Sequence, residues 1–374
     1  TRFAPGLRKI LHHGTGRSIE SLPADEPVLV LCTYAVARID AAALTGRTWE
    51  YLVLDESQSI KNSEAKTSKA IFSIRARNRL ALSGTPVENS LADLYSLFRF
   101  LNPSMFGKEK DFMSSYMKPI QVDGDEDALR ELRLKVYPFM LRRLKKDVLK
   151  DLPPKVEQTV LIDLDEDHMA IYQQRRAELQ RRVQEALMTG SVGQSTFMIL
   201  QVLTELRRLA SVPESDGSYP GTSAKRGYLS EMIDSLNAEG HKCLVFCNYL
   251  ATVDLVSEDL GSRGIGNLVM TGATTDRQTL VRRFQEDRDI RAFVMTLKTG
   301  GVGLNLTAAD YVFIVDPWWN RAAETQAMDR THRIGQTRTV FSYRLIARGT
   351  IEERILELQE RKADLAGAVL STDT

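Results

Sequence analysis

The chain has 374 residues, which is long enough for two or three domains of ordinary size. Hydrophobic residues make up 43% and charged residues 26%, a balance that predicts a soluble folded protein and excludes a disordered one. The 50 basic and 49 acidic residues leave a net charge of +1, so net charge does not indicate a nucleic-acid partner and any basic surface must come from local clusters.

Cysteine and histidine usage gives no sign of a metal centre or a disulfide framework. Cys32, Cys243 and Cys247 lie in apolar segments and fit buried thiols, and the five histidines are scattered along the chain. No apolar segment approaches the roughly 20 residues needed to cross a bilayer, and the first residues do not resemble a signal peptide. We therefore expect an intracellular protein in a reducing compartment, with no membrane partner.

Short apolar segments rich in Val, Ile, Leu, Phe and Tyr recur in two clusters along the chain. Such segments are typical of strands that are buried on both faces of a parallel sheet. Helical patterns lie between them, and this alternation predicts an α/β fold with two parallel-sheet domains. The predicted strands are residues 28–33, 51–54 and 80–82, then 244–247, 268–270, 292–296, 311–315 and 340–346, and the predicted helices include residues 251–263, 276–284 and 321–330.

The middle of the chain has a different pattern, with long charged helical segments such as residues 168–188. A Leu-Pro-Pro sequence at 152–154 marks a joint, and the segment at 215–223, rich in Gly, Ser and Pro, predicts a loop. The tail at 350–369 again has helical spacing. The predicted division is 1–101, 102–225, 226–348 and 349–374, with a helical segment between two α/β segments.

Two acidic residues, Asp55 and Glu56, directly follow the second predicted strand. The carboxyl ends of parallel strands are where ligands bind in α/β folds. One carboxylate can hold Mg²⁺, usually through water, while the other orients and deprotonates an attacking water. The same pattern also fits a strand that simply ends in solvated acids.

Small hydroxyl residues follow the next predicted strand. Ser83 and Thr85 can hydrogen-bond across a cleft, and Gly84 permits a tight turn between them. This would couple two sites on the protein. An ordinary turn before Pro86 has the same sequence pattern.

A glycine-rich segment and a pair of arginines complete the set. In residues 296–305 the glycines let the backbone approach a phosphate closely, and nearby polar side chains can donate to phosphate oxygens. Arg330 and Arg333 are three residues apart in a helical pattern, so we expect them to share one helix face. Two guanidinium groups there could bind the γ-phosphate of a nucleotide that another domain holds. The alternative interpretation is a basic helix whose side chains are only solvated.

The order and spacing of these four motifs together resemble the Swi/Snf-type family within helicase superfamily two. Residues 55–58 are similar to its motif II, 83–86 to motif III, 299–306 to motif V and 330–336 to motif VI. Residues 139–157, 242–248 and 316–320 resemble its linking segment, the opening strand of its second motor domain and its aromatic segment before motif VI. The resemblance covers essentially the whole chain.

The resemblance implies two RecA-like parallel-sheet motor domains, the first truncated at its N-terminus, with helical insertions between them and a brace helix at 350–366. It implies a DNA-dependent ATPase that uses ATP and Mg²⁺, acts as a monomer and moves along double-stranded DNA against DNA-bound protein cargo. Such a protein would be nuclear in a eukaryote, or cytoplasmic and nucleoid-associated in a prokaryote.

The resemblance also assigns roles to single residues, and most of the DNA contacts would be to the phosphate backbone, without sequence readout. Basic clusters at 142–146, 175–176 with 181–182, and 207–208 could add phosphate contacts or form solvated helix faces. The assigned residues are Asp55, Glu56, Arg330 and Arg333 for catalysis, with Mg²⁺ on Asp55; Gln58, Gly301, Gly303 and Gln336 for ATP binding; Ser83, Gly84 and Thr85 for coupling; and Thr33, Tyr34, Thr271, Gly272, Lys298, Thr299 and Trp318 for DNA binding.

Two departures from the family pattern affect these expectations. Arg321 stands where the family has Pro, which could shift the start of a helix. A P-loop of the form G-x-x-x-x-G-K-[ST] is absent, since its nearest counterpart has Leu11 and Arg17 at the required Gly and Lys positions. We therefore expect the P-loop strand and helix to lie outside this chain, and this fragment to be inactive in hydrolysis.

Three functions stay open at this point. The first is an ATP-driven duplex translocase, and the second is a strand-separating helicase of the same superfamily. The third is a catalytically silent fragment that binds DNA or a partner, which the missing P-loop favours. Hydrolysis assays and unwinding of a forked duplex separate them.

Overall fold

The computed structural model describes residues 3–19, 22, 26–84, 90–143, 145–189, 192–217, 219–300 and 303–370. The chain forms two compact units, one of residues 1–141 with 362–374 and one of residues 142–361. All the strand pairs described are parallel, and helices separate most successive strands. The predicted α/β class with parallel sheets is therefore confirmed. Within the described ranges, no helix is both long and apolar enough to cross a membrane.

The first unit contains two separate pairs of parallel strands, β1 with β2 and β3 with β4. A 3-10 turn at Ser57–Ile60 follows β3, and π-helical turns at Met113–Met117 and Pro119–Asp123 follow α5. In chain order the elements are β1 (Arg8–Leu11), β2 (Val28–Leu31), α1 (Tyr34–Ile39), α2 (Ala41–Thr45), β3 (Trp49–Leu54), α3 (Lys66–Ser73), β4 (Ala76–Ala81), α4 (Leu91–Leu101), α5 (Glu109–Phe112) and α6 (Glu126–Val136).

One face of the β3–β4 pair is exposed, which differs from the expectation of strands buried on both faces. Leu54 is buried, whereas the side chains of Tyr51, Val53 and Leu80 are about half exposed at 64%, 48% and 49%. The strands alternate between faces with a period of two, and only one face packs on the helices of this unit. The expectation fails here because the described chain covers a single side of this sheet.

Helix α4 contributes to two cores in the first unit. Ser90 and Asp93 form a capping box that begins the helix. Leu94 and Phe98 pack in a cluster with α5 and α6, where Phe112 makes aromatic contacts. Phe100, on the opposite side, packs with residues from β3 and α3. The helix therefore holds the sheet and the helical region that follows it in one unit.

The second unit contains a six-stranded parallel sheet in the order β5-β10-β9-β6-β8-β7. Its central strand β6 is buried at all five positions, including Cys243 and Cys247, as predicted for buried thiols. The same prediction is wrong for Cys32, which is exposed just after the edge of the β1–β2 pair. The elements from residue 142 to the end of the described chain are α7 (Lys145–Val148), β5 (Lys155–Ile162), α8 (Glu166–Thr189), α9 (Val192–Ser211), α10 (Ala224–Ala238), β6 (Cys243–Cys247), α11 (Leu250–Ser262), β7 (Gly266–Met270), α12 (Arg277–Glu286), β8 (Ile290–Thr296), α13 (Leu297–Gly300), β9 (Tyr311–Ile314), α14 (Arg321–Met328), β10 (Val340–Ala347) and α15 (Ile351–Leu370), whose residues from 362 onward belong to the first unit.

Strand β5 lies inside the segment that was predicted to be helical. It pairs with β10 over its full length, from Lys155 opposite Val340 to Ile162 opposite Ala347, and forms one edge of the sheet. Its sequence mixes polar and apolar residues, and only Ile162 in it is buried, in keeping with its place at the edge of the sheet. The predicted joint at 152–154 is thus the point at which the chain enters the second sheet.

Helices α8 and α9 form an antiparallel hairpin that packs on the start of α15. Tyr172 and Leu179 of α8 are buried with Val202 and Leu206 of α9. The Tyr172 hydroxyl accepts a hydrogen bond of 2.9 Å from the backbone N–H of Ile351. The predicted helix in the tail is therefore present, and its first turn is anchored to the hairpin.

Candidate functional site

The acid pair lies at the carboxyl end of β3, beside the end of β4. The backbone continues the strand pairing for one further step, with Leu82 N–H donating to Leu54 at 2.8 Å and Ser57 N–H donating to Leu82 at 2.9 Å. Asp55 and Glu56 are exposed at this edge, as their position after a strand predicted. The residues after β3 and those after β4 therefore face each other.

Glu56 has left-handed backbone geometry, with φ 49° and ψ 54°, and no other non-glycine residue with positive φ occurs among the residues described. Such a conformation is sparsely populated for side-chain-bearing residues and commonly marks a functional site. The Asp55 carboxylate accepts from the Glu56 N–H at 3.0 Å, which supports the turn. The turn presents two carboxylates in succession at the strand end.

Gln58 connects the acid pair to the residues after β4. Its Nε2 donates to the Glu56 carboxylate at 2.8 Å, and its Oε1 accepts from the Ser83 hydroxyl at 3.2 Å. The structure therefore brings together residues from the predicted catalytic, ATP-binding and coupling groups. Gly84 follows directly and is exposed, whereas Thr85 lies outside the described residues.

Tyr34, predicted to face DNA, is directed towards the acid pair instead. Its hydroxyl donates to the backbone carbonyl of Asp55 at 2.8 Å. Burial and the nearby Asp55 and Glu56 charges raise the pKa of Tyr34 to about 12, so it stays protonated as a donor near neutral pH. Thr33 caps α1, its hydroxyl accepting from Val36 N–H at 3.2 Å. Sequence spacing carried no signal for the Tyr34–Asp55 contact, because β2 and β3 are not paired.

The predicted DNA-binding residues of the second unit follow the carboxyl ends of three strands in one parallel sheet. Thr271 and Gly272 follow β7, Lys298 follows β8, and Trp318 comes four residues after β9. Gly272 and Lys298 are exposed, and the Trp318 side chain is 37% exposed. Since the carboxyl ends of parallel strands share an edge, these residues lie along the same edge of the sheet.

Thr299 differs from its neighbour Lys298. It is only 5% exposed, and its hydroxyl lies 2.7 Å from that of Thr296, inside the unit. Its predicted phosphate contact has no support in this conformation. Gly300 is also explained by packing, since a Cβ there would lie 2.2 Å from the Phe246 ring. Gly303 adopts a left-handed φ of 51°, and Gly301 lies outside the described residues.

The expectation that Arg330 and Arg333 share a helix face is wrong. Helix α14 ends at Met328, and both arginines lie in the turns that follow. Arg330 is 2% exposed and donates from Nε to the Gly300 carbonyl at 3.1 Å, while its own carbonyl accepts from Leu306 N–H at 3.1 Å. Arg330 thus holds the glycine-rich segment, and Arg333 is the more accessible of the two.

Gln336, predicted to bind ATP, is 6% exposed and makes hydrogen bonds within the protein. Its amide nitrogen donates to three backbone carbonyls and its oxygen accepts from two backbone N–H groups. The side chain therefore organises the loop before β10, and its structure gives no support for contact with a nucleotide. The partners are the carbonyls of Thr307 (3.2 Å), Ala309 (2.9 Å) and Thr331 (3.2 Å) and the amides of Thr337 and Arg338 (2.9 Å each).

The aromatic segment at 316–320 is held by buried polar residues that the sequence did not single out. Trp318 N–H donates to Glu324 at 2.6 Å, and Glu324 accepts from Arg344 at 2.9 Å. Burial raises the pKa of Glu324, although the Arg344 charge opposes that shift. Asn320 caps α14, which begins at Arg321, so the departure from the family pattern at this position leaves a normal helix start.

The chain thus has two parallel-sheet units, with an acid pair in one and a glycine-rich segment tied to an arginine in the other, and its matches place both units in the helicase-like class. Residues 1–215 match the SNF2-related domain and residues 224–335 match the helicase conserved C-terminal domain. The chain belongs to the SNF2-related family, which confirms the resemblance inferred from its motifs.

Curated relatives include ATP-dependent helicases from bacteria and a eukaryotic TATA-binding protein-associated factor. The chain is 33% identical to the uncharacterized ATP-dependent helicase MG018 of Mycoplasma genitalium over 100% of the chain and 36% of the relative. It is 35% identical to the putative ATP-dependent helicase/translocase YwqA of Bacillus subtilis over 99% of the chain and 41% of the relative. It is 33% identical to the TATA-binding protein-associated factor MOT1 of Saccharomyces cerevisiae over 99% of the chain and 23% of the relative. The chain thus spans about a quarter to two fifths of their lengths.

A solved structure gives the same fold. The Sulfolobus solfataricus SWI2/SNF2 ATPase core in complex with dsDNA is 32% identical, with a TM-score of 0.50, over 99% of this chain and 78% of that one.

Proposed function

We propose that this chain is the motor portion of an ATP-dependent double-stranded DNA translocase that remodels protein–DNA complexes. The observation that carries the proposal is the Asp55–Glu56 turn, strained at Glu56 and linked through Gln58 to Ser83. The SWI2/SNF2 core bound to dsDNA supports duplex DNA as the partner. The proposal includes the predicted division of the chain into four segments. Residues 1–101 and 226–348 are the motor segments, residues 102–225 are the helical protrusions between them, and residues 349–374 contain the brace helix.

The acid pair supplies the chemistry in this proposal. Glu56 orients and deprotonates the attacking water, and Asp55 holds Mg²⁺, mainly through water. The residues fit that ion, because Mg²⁺ prefers oxygen ligands and is commonly held by one carboxylate plus water and phosphates. ATP supplies the phosphoryl group that is transferred to water.

Arg333 is the better candidate for the arginine that stabilises charge on the γ-phosphate. It is half-buried, and its Nε donates to the Asp329 carbonyl at 3.2 Å. Arg330 would then act by holding the glycine-rich segment through Gly300.

Because the 374 residues contain no P-loop, we also propose that this chain does not hydrolyse ATP by itself. A P-loop cradles the phosphates with backbone N–H groups and a lysine, and this chain offers neither in that arrangement. The chain alone therefore binds duplex DNA without hydrolysing ATP at a significant rate.

ATP hydrolysis with and without duplex DNA tests the proposal. We would compare this chain with a longer chain that carries a P-loop upstream of residue 1. We expect duplex-stimulated hydrolysis from the longer chain and background hydrolysis from this one. Substantial hydrolysis by the 374-residue chain contradicts the P-loop argument, and a longer chain indifferent to duplex DNA contradicts the translocase.

A strand-separating helicase is the second candidate, because relatives carry the name ATP-dependent helicase. Release of one strand from a forked duplex by the longer chain would favour it over translocation without unwinding. A catalytically silent binding fragment is the third, and it would bind duplex DNA in the absence of any stimulated hydrolysis in either chain.

Replacing Lys298 with glutamine tests the DNA-binding edge of the second unit. Lys298 is exposed just beyond the carboxyl end of β8, so we expect weaker duplex binding whatever the DNA sequence. Loss of one phosphate contact should also reduce the slope of log K against log salt by about 1. The measurement is duplex affinity by fluorescence anisotropy across a salt series.

Arg288→Gln is the matched control, because Arg288 is exposed just before the amino end of the same strand. It lies on the order of 20 Å from Lys298 at the rise of an extended strand. Equal loss of affinity in both variants would show that the effect is general electrostatics rather than a DNA-binding edge.

A further inference from the structure

Arg207 of α9 lies against the aromatic side chains of the segment that follows β9. Its guanidinium carbon is 4.9 Å from the centre of the Trp318 ring, 5.3 Å from Trp319 and 6.0 Å from Tyr249. Its Nη2 donates to the Pro317 carbonyl at 2.7 Å. One cation from the helical hairpin therefore contacts both the rings and the backbone of this segment.

Arg207 belongs to the basic cluster at 207–208 in the sequence, but its side chain is buried and does not form part of a basic surface. It is 4% exposed, so the earlier expectation that the cluster at 207–208 contributes phosphate contacts does not hold for this residue. Its charge is instead offset by ring faces, which attract a planar guanidinium more strongly when water is excluded.

The backbone of Trp318 is fixed from two other directions. Its N–H donates to Glu324 at 2.6 Å, and its carbonyl accepts from Gln359 of α15. The ring itself is partly exposed at the carboxyl edge of the sheet. With the main chain held in this way, the Arg207 guanidinium over the ring is a contact that acts on the orientation of the ring itself.

We propose that Arg207 is a positioning residue for duplex DNA binding, holding Trp318 and Trp319 in the orientation in which the segment meets DNA. The inference rests on the proposed function for its partner, duplex DNA. It makes the α8–α9 hairpin part of the DNA-binding apparatus without any DNA contact by Arg207 itself. A movement of the hairpin would then change how this segment engages DNA.

The test measures duplex affinity across a salt series for the wild type, Arg207→Lys and Arg207→Gln. Lysine keeps the charge and a donor but loses the planar face that stacks on the rings. We expect roughly tenfold weaker binding in both variants, with a melting temperature close to wild type for the lysine variant and an unchanged salt slope. Arg288→Gln, at an exposed position just before the amino end of β8 and outside the basic clusters, is the matched control for loss of a positive charge.

A second readout follows the rings directly. In a Trp49→Phe background the remaining tryptophans are Trp318 and Trp319, and Arg207→Lys should increase their quenching by acrylamide. A structural cation alone would lower the melting temperature and leave duplex affinity and quenching of the folded protein unchanged, which overturns the proposal. A salt slope reduced by about 1 also overturns it, because Arg207 would then contact phosphate itself. Failure of the wild type to bind duplex DNA contradicts the proposed function, before any variant is compared.

Discussion

Glu56→Gln, in the longer chain that carries a P-loop, should reduce duplex-stimulated ATP hydrolysis by roughly 10²- to 10⁴-fold. The substitution removes the group that takes a proton from the attacking water. It leaves an amide oxygen that can still accept from Gln58, whose Nε2 lies 2.8 Å from the Glu56 carboxylate. The turn should therefore survive while the base is lost. The measurement is steady-state phosphate release at saturating duplex DNA.

Two controls make this result specific. Glu50 is exposed near the amino end of the same strand β3, so Glu50→Gln should hydrolyse ATP at the wild-type rate. Affinity for a fluorescent ATP analogue should also be kept in Glu56→Gln, since the lost group acts on water. A variant that retains more than a third of the activity would remove Glu56 from the role of general base.

The acid pair could be predicted because its position depends on a local pattern. An apolar strand that ends in Asp55 and Glu56 must present them at a sheet edge, wherever the other strands lie. The bond from Gln58 to Ser83 could not be predicted in the same way, because it depends on β4 pairing beside β3. The left-handed geometry of Glu56 has no sequence signal, since glycine is the residue that usually marks it.

The second sheet was predicted well because its strands are buried on both faces and therefore apolar throughout. Strand β5 was missed because it is an edge strand of mixed polar and apolar residues rather than an apolar segment throughout. Arg330 shows a further limit. A helical pattern continues through residue 330, but the helix ends at Met328, where the chain turns to bond the glycine-rich segment. Tertiary contacts override the local pattern there.

Buried polar contacts were the part least accessible to sequence reasoning. Lys225, Arg207 and Glu324 are charged residues in helical patterns, and such residues are usually solvated. Their partners come from segments far away in the chain, such as Glu352 for Lys225. Only the folded structure brings these charges together, and the largest stability effect we expect arises from one such pair.

Lys225→Met should lower the free energy of unfolding of the second unit by about 3–5 kcal/mol. Lys225 and Glu352 are 0% and 1% exposed, with Nζ 2.6 Å from one carboxylate oxygen and 2.8 Å from the other. Nζ also donates to the Val315 carbonyl at 2.8 Å. Methionine fills a similar volume but leaves a buried carboxylate without its counter-charge. Denaturant unfolding followed by circular dichroism measures the change.

The pH dependence of the stability loss in Lys225→Met should identify the buried Glu352 carboxylate as its cause. Burial raises the pKa of Glu352 in the folded protein, and Lys225 opposes that shift. Without Lys225 the folded-state pKa rises further, so the uncompensated charge destabilises the fold at neutral pH. That penalty should shrink as the pH falls through the raised pKa towards the unfolded value, because the carboxyl is then protonated in the folded state. The difference in stability between variant and wild type should therefore be smaller at acidic pH.

Two further variants separate charge from packing. Lys225→Met with Glu352→Gln removes both charges and keeps an oxygen that can accept from Ala347 N–H, 2.8 Å from the native carboxylate. It should recover much of the lost stability, since removing a whole buried pair is far less damaging than removing one partner. Arg263 pairs with Asp234 where both side chains are 41% exposed, so Arg263→Met should lower stability by under about 1 kcal/mol. If the double variant is no more stable than Lys225→Met, the loss comes from packing around the lysine stem, and Glu352 is not the source of the penalty.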